Sequence, residues 1–168
     1  RPILRGRDIK RYSYEFDDLW LINTHNGIKE KGIKPIDINN YPAVKQHLED
    51  FSKQKIAWNR IASEKQFALI DEGMFIQDSM HFFTGNHLHY LVAILNSKLF
   101  AWLLNLIVGE AAGGNAGNSD NIRNLKIPYP SVELEQEIVK HLKNKNYNEI
   151  NNIIFNLYKL NHTELLII

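Results

Sequence analysis

An α+β fold follows from two kinds of apolar pattern kept apart along the chain. The expected form is a twisted, mostly antiparallel sheet flanked by helices, with a helical carboxy-terminal segment. Residues 55–84 hold short runs rich in β-branched and aromatic side chains (KIAWNRI, QFALI, MFIQDSMHFFT), bounded by turn residues. Residues 88–106, and nearly everything after residue 131, instead repeat apolar side chains at helical spacing. Strands followed by helices, rather than alternating with them, is the pattern of an α+β domain.

The elements are justified in order. The opening RPILRGRDIKRY places Arg1, Arg5, Arg7, Lys10 and Arg11 against Asp8 alone, while Pro2, Ile3, Leu4 and Ile9 make it apolar enough to pack. Leu19, Trp20, Leu21 and Ile22 favour a strand over about residues 18–24, closed by turns at Asn26-Gly27 and Lys31-Gly32. Asn39-Asn40-Tyr41-Pro42 reads as a helix start, with Pro42 near the first helical position and Val44, Leu48 and Phe51 on one face. The strand runs after Lys55 are separated by Ser63-Glu64-Lys65 and by a turn at Asp71-Glu72-Gly73. Residues 88–106 form two helices, or one kinked at Asn96-Ser97, with Ser97 a natural cap for the second. Small residues fill 109–120 (GEAAGGNAGNSD), a connector or a place of close approach to a partner. A short strand is expected at 125–127, ended by Pro128-Tyr129-Pro130. Helices over about 132–142, rich in glutamate near its start, and over about 147–160 complete the chain. Trp20, Trp58, Trp102, Leu95 and Leu99 are assigned to the core. The expected division is 1–130 for the main domain and 131–168 for a helical segment packed on it or on a partner.

Composition limits function. A chain of 168 residues with 44% hydrophobic and 23% charged residues fits one globular domain. Its net charge of +1 means that any polyanion-binding surface is local and balanced by acids elsewhere. The absence of cysteine excludes disulfides, zinc ribbons and thiol catalysis, and fits a reducing cytoplasm. Asn96, Ser97 and Lys98 interrupt the longest apolar stretch, so neither a membrane span nor a signal peptide is expected. A start at Arg1 reads as a fragment of something longer. Phosphate loops, a dinucleotide fingerprint, Glu-x-Lys, the Asn/Asp-Pro-Pro-aromatic motif, a Gly-x-Ser-x-Gly elbow and His-Glu-x-x-His are all absent, so catalysis by this chain is not expected.

Binding candidates are clearer. Arg5, Arg7, Lys10 and Arg11 suit phosphate or base edges, the competing reading being that they neutralise local carboxylates. In KQKIAWNRI, Lys53, Lys55, Asn59 and Arg60 interleave with apolar residues. A strand there puts Ile56, Trp58 and Arg60 on one face and Lys55, Ala57 and Asn59 on the other. Amide and guanidinium groups are the usual readers of adenine and guanine. The competing reading is a core strand whose arginine neutralises an acid. Asn115, Asn118 and Arg123 add candidates from the glycine-rich region. His81, His87 and His89 are the only histidine cluster, more in keeping with surface or capping roles than with a metal. Asp17-Asp18 and Asp71-Glu72 read as solvated turn acids.

The ordered series RPILRGRDIKRY, LWLINTHNG, YPAVKQHLEDF, KIAWNRIA, FALIDEGMFIQDSMHFFTG, YLVAILNSKLFAWLL and LKIPYP resembles the TaqI-like carboxy-terminal specificity domain over nearly the whole chain. IPYPSVELEQEIV and INNIIFNLYKLNHTE resemble the ending of type I specificity subunits. The resemblance implies a target-recognition module of a single-chain, type IIG-like restriction-modification protein or adenine methyltransferase. Such a module clasps double-stranded DNA opposite an upstream methyltransferase domain and helps present an adenine for flipping. No cofactor is then expected on this fragment; S-adenosylmethionine, and Mg2+ for cleavage, belong to the parent protein. By similarity, Arg5 and Arg7 lie in the family's basic motif and Asn59-Arg60 in its strand motif. One departure stands out, because family members carry a longer insertion between YPAVKQHLEDF and KIAWNRI. Either a loop has been lost or the sequence omits residues. The tight passage favours omission, which implies a mobile DNA-facing loop between Phe51 and Lys53. Two alternatives remain: a module docking a methyltransferase subunit, and an autonomous nuclease or methyltransferase, against which the missing motifs argue.

Overall fold

In the computed structural model the described residues are 1–20, 27, 29–35, 37–62, 65–108, 115–116 and 122–168. The strands are β1 (Ile3–Leu4), β2 (Lys55–Asn59), β3 (Ile61–Ala62), β4 (Ala68–Ile70), β5 (Phe75–Ile76), β6 (Met80–Phe83) and β7 (Asn115–Ala116). The helices are α1 (Pro42–Asp50), α2 (Leu88–Leu95), α3 (Lys98–Val108), α4 (Val132–Lys143), α5 (Tyr147–Leu157) and α6 (His162–Leu165). The class is α+β.

β2 is the central strand. It pairs antiparallel with β4 and β6, in register Ile56 to Leu69 and Phe83, and Trp58 to His81. Its alternation serves two cores. Ile56 and Trp58 join the helical core with Phe67, Tyr90, Ile94 and Leu95, and with Ile138, Ile150 and Ile154 of α4 and α5. Ala57 faces a smaller core with Leu4, Ile9, Ala68, Ile70 and Met80. The apolar opening segment therefore covers the second face of the sheet, which is why KIAWN is buried throughout its first four residues. β1 pairs parallel with β5 and β3 pairs antiparallel with β7, so the described strands form three small sheets rather than one.

Several expected boundaries hold. Pro42 opens α1, and Phe51 follows its end and packs its ring 5.0 Å from that of Phe82. Residues 51–54 lead directly into β2, with Ser52 Oγ donating to Glu49 O and Gly73 N to Ser52 O. α2 and α3 are separate helices meeting at 67°, and Ser97 Oγ caps the second by accepting from Phe100 N at 3.2 Å. No single helix among the described residues is long and apolar enough to cross a membrane. α4 begins under Ser131, whose Oγ accepts from Leu134 N, with Glu133 and Glu135 in its first turn and lysines in its last, as its dipole favours.

Three expectations are corrected. The strand over 18–24 does not form in its described part: Asp18 has φ of +50° and Trp20 makes a single bridge with Pro2, while 21–24 lie outside the described residues. Trp20 is 58% exposed and its indole N–H turns back onto Asp18, so it leaves the core. Residues 125–127 join no ladder, because the carbonyls of Lys126 and Pro128 accept instead from the hydroxyls of Tyr158 and Tyr90 while Leu125 and Ile127 pack on the helical core.

Lys55 is fully buried, on the Ala57 face, with Nζ donating to Met74 O at 3.0 Å. Burial lowers its pKa to about 8, against a smaller opposing pull from Glu72. Between pH 8 and 10 the unfolded chain therefore holds a proton that the folded chain has released. Stability is expected to rise with pH across that window, by on the order of 2–3 kcal/mol at most. Above pH 10 the rise reverses, since Tyr14 and Tyr90 are pushed up to about 12 and the unfolded chain loses those protons first. Melting curves at pH 7, 8, 9 and 10 should show the increase in the native chain and lose it in Lys55→Met. An equal increase in both would reject the assignment.

Candidate nucleic-acid interface

The opening motif is a braced turn. Arg5 N donates to Asp8 Oδ2 at 2.8 Å and its guanidinium bonds Asp8 and Asp17. Arg7 reaches Asp17 at 3.3 Å, and Lys10 pairs with Glu15 at 3.3 Å. Pairing raises the pKa of Arg5, through Asp8 first, and lowers that of Asp17, through Arg5 first. Asp8 is buried and Arg5 largely covered, whereas the side chain of Arg7 is 68% exposed. Arg5 thus shapes the turn that presents Arg7.

Asn59 joins this turn to the sheet, its Nδ2 donating to Gly6 O at 3.0 Å. A methyl group at Gly6 would run into Asn59 Oδ1, so the glycine between two arginines is required by close approach. Gly6→Ala is expected to cost about 1–2 kcal/mol in stability by expelling the amide. Asn59→Ala should remove most of that penalty, measured as a coupling energy in a double-mutant cycle of urea unfolding. Additive losses would show that the two residues do not meet.

The contact sets the basic turn beside Arg60. Arg60 lies one residue past the end of β2, exposed, with its N–H on Ser79 O. That bond carries the β2–β6 pairing one step past Asn59 and Met80, on the side of His81, the cross-strand partner of Trp58. Lys65 Nζ donates to Arg60 O at 3.3 Å. His81 stacks near Trp58, ring centres 5.5 Å apart, and its pKa is lowered by burial first and then by Arg60, Lys65 and Arg123. Four cationic or titratable groups thus share one neighbourhood. Among the described residues neither Arg60 nor Arg123 has a carboxylate partner. β7 brings Asn115 opposite Ala62, two residues beyond Arg60.

The remaining candidates are placed elsewhere. Lys53 is exposed on the link between α1 and β2. Lys55 is corrected from a surface candidate to a core cation, since its ammonium lies under the sheet and no duplex can reach it without unfolding that face. Arg11 turns toward α2, with its guanidinium on Asn96 O and 5.5 Å from the ring centre of Tyr12. Asn118 lies outside the described residues. Lys65 and His81 were not read as binding residues from sequence, and the local pattern (RIASEK over 60–65) carries no signal for them, since their meeting depends on the β2–β6 pairing. His87 sits between Glu135 and Tyr129, each 2.7 Å from a ring nitrogen, and so ties α2 to α4. No group of three or more metal-ligating side chains occurs among the described residues.

No curated protein is a significant match to the chain. A family model does match: residues 1–115, which include the braced turn, the β2 junction and the α2–α3 corner, fit the TaqI-like C-terminal specificity domain. That span covers most of the 168 residues and the elements that carry Arg7, Arg60, Lys65 and His81, while Arg123 lies beyond it. The chain accordingly belongs to the family of TaqI-like C-terminal specificity domains, non-catalytic DNA sequence-recognition modules of restriction-modification enzymes.

Proposed function

We propose that this chain selects the target sequence for a type IIG-like adenine methyltransferase and endonuclease in the cytoplasm. It contacts double-stranded DNA, while methyl transfer from S-adenosylmethionine and Mg2+-dependent cleavage take place in domains upstream. The observation that carries the reading is the neighbourhood of Arg60, Arg123, Lys65 and His81 past the end of β2, next in sequence to Asn59, on which the Arg5-Gly6-Arg7 turn docks. Arg7, Lys65 and Arg123 fit phosphate contacts. Arg60, exposed one residue past β2, and Asn115, on the strand paired with β3, are the candidates for base edges.

The docking alternative loses its support, since Ile150 and Ile154 of α5 are buried in the chain's own core. A salt titration tests the proposal. With phosphate contacts from Arg7, Lys65 and Arg123, duplex affinity should fall with salt at a log–log slope of about −2.7. Selection of bound oligonucleotides by the parent enzyme should return one defined site. A flat salt response, or a pool with no consensus, would overturn the reading.

A further inference from the structure

Among the described residues, Trp58 carries the one buried polar side-chain atom left unsatisfied: its indole N–H meets no acceptor, although the residue is only 2% exposed. Such orphans are rare in folded proteins and cost about 1–3 kcal/mol each. Trp58 also borders a cavity of about 210 Å³. The other walls are aromatic and aliphatic, Phe82, Phe83, Leu91 and Leu95 among them, with exposed Arg123 in the lining. The size is selective. An apolar cavity of about 150 Å³ holds benzene, and drug-sized ligands occupy roughly 300 Å³ or more. This space therefore takes one ring with small substituents. Its chemistry is selective too. The polar groups of the lining side chains are an indole N–H and a guanidinium, which only donate, and no side chain in the lining accepts. The occupant that fits is a single ring bearing acceptors, on a molecule with negative charge for Arg123.

We infer that the cavity receives a thymine turned out of a DNA strand, with the Trp58 indole N–H donating to a ring carbonyl and Arg123 facing the strand's phosphate. The inference rests on the duplex-binding reading above. DNA is favoured as the source because Arg123 belongs to the basic surface. Together with Arg60 it bears on His81, whose ring centre stands 5.5 Å from that of Trp58. Thymine is favoured among the bases by its donor count. It has one ring, two carbonyl acceptors, a single ring N–H and a methyl group suited to apolar walls. The amino groups of cytosine, adenine and guanine would be buried without acceptors, and the purines exceed one ring. Because the indole nitrogen is covered beforehand, seating the base requires the Trp58 ring to turn slightly.

Anisotropy titrations of the whole chain with matched labelled duplexes test this: one fully paired, one with an extra unpaired thymine, one with a cytosine and one with an abasic residue at that place. The thymine bulge is expected to bind roughly tenfold tighter than the abasic bulge, the worth of one recovered donor. Trp58→Phe deletes the donor and keeps a ring, whereas Leu91→Trp puts bulk into the cavity and keeps the donor. Each should abolish the preference while binding paired duplex as the native chain does. Equal affinity for the thymine and abasic bulges would overturn the inference and leave duplex recognition standing, whereas no binding to any duplex would overturn both. A cytosine bulge held as tightly as the thymine one would also overturn it. So would saturable binding of benzoate without any bulge preference, which would assign the cavity to a small aromatic acid.

Discussion

Asn96→Ala is expected to lower the unfolding free energy by about 2–3 kcal/mol, a large loss for a single polar side chain. The side chain is buried and saturated. Its Nδ2 donates to Phe67 O at 2.7 Å and Val92 O at 2.9 Å, and its Oδ1 accepts from Phe67 N at 3.1 Å. Phe67 precedes β4 and is itself fully buried, so truncation strands its N–H away from water, while its carbonyl keeps the bond from Tyr12 N at 2.9 Å. Each unsatisfied group costs about 1–3 kcal/mol, more than the net worth of a typical exposed hydrogen bond. The backbone of the same residue matters too, since Asn96 O accepts from Arg11 and from Tyr12 Oη. One residue thus fixes the end of α2, the entry to β4 and the end of the basic opening. Thermal unfolding should show the midpoint falling by roughly 4–12 °C at this chain length. Asn96→Asp should be no better, because it removes both donated bonds and buries a charge. A loss under about 1 kcal/mol would mean that water replaces the amide.

Asn96 also shows where sequence reading stops. Its position between two apolar helical stripes, followed by a capping serine, is enough to place a helix break there. Nothing in the local pattern says that its amide reaches a strand 29 residues away. The same division runs through the molecule. The face assignments of Ile56 and Trp58 against Ala57 follow from strand periodicity and hold, as do the Pro42 start and the Ser97 cap, because each depends on near neighbours. Lys55 misleads because a lysine beside an exposed Lys53 reads as a solvated cation. Only the packing of Leu4 and Ile9 over the sheet shows that its face is closed. Trp20 misleads in the other direction, since an aromatic in an apolar run reads as core, yet it follows the left-handed Asp18 and lies exposed. In the basic surface the residue types were legible and their pairing was not. Arg5 finds Asp17 across a turn, leaving Arg7 and Arg60 as the outward cations.

That distinction between braced and outward cations leads to the strongest functional prediction. Arg60→Ala combined with Arg123→Ala is expected to weaken duplex DNA binding roughly thirtyfold at 0.15 M salt and to make the salt slope shallower by about 0.9, the share of the Arg123 phosphate contact. The arithmetic follows from counterion release, each lost phosphate contact removing about 0.9 from the slope. Arg5→Ala should behave differently. It leaves the buried carboxylate of Asp8 without its guanidinium and releases the turn on Asn59, so its main effect falls on stability rather than on the salt slope. Measuring binding across 50–300 mM salt for the double variant, for Arg5→Ala and for the native chain separates the two classes. Arg60 carries a further distinction. If it reads a base edge, Arg60→Ala alone should relax preference at one position, costing about 1–3 kcal/mol of discrimination there, whereas a phosphate contact weakens all sequences alike. A double variant that binds DNA as tightly as the native chain, with an unchanged slope, would show that the duplex lies on another face and that the Gly6–Asn59 junction is only a structural joint.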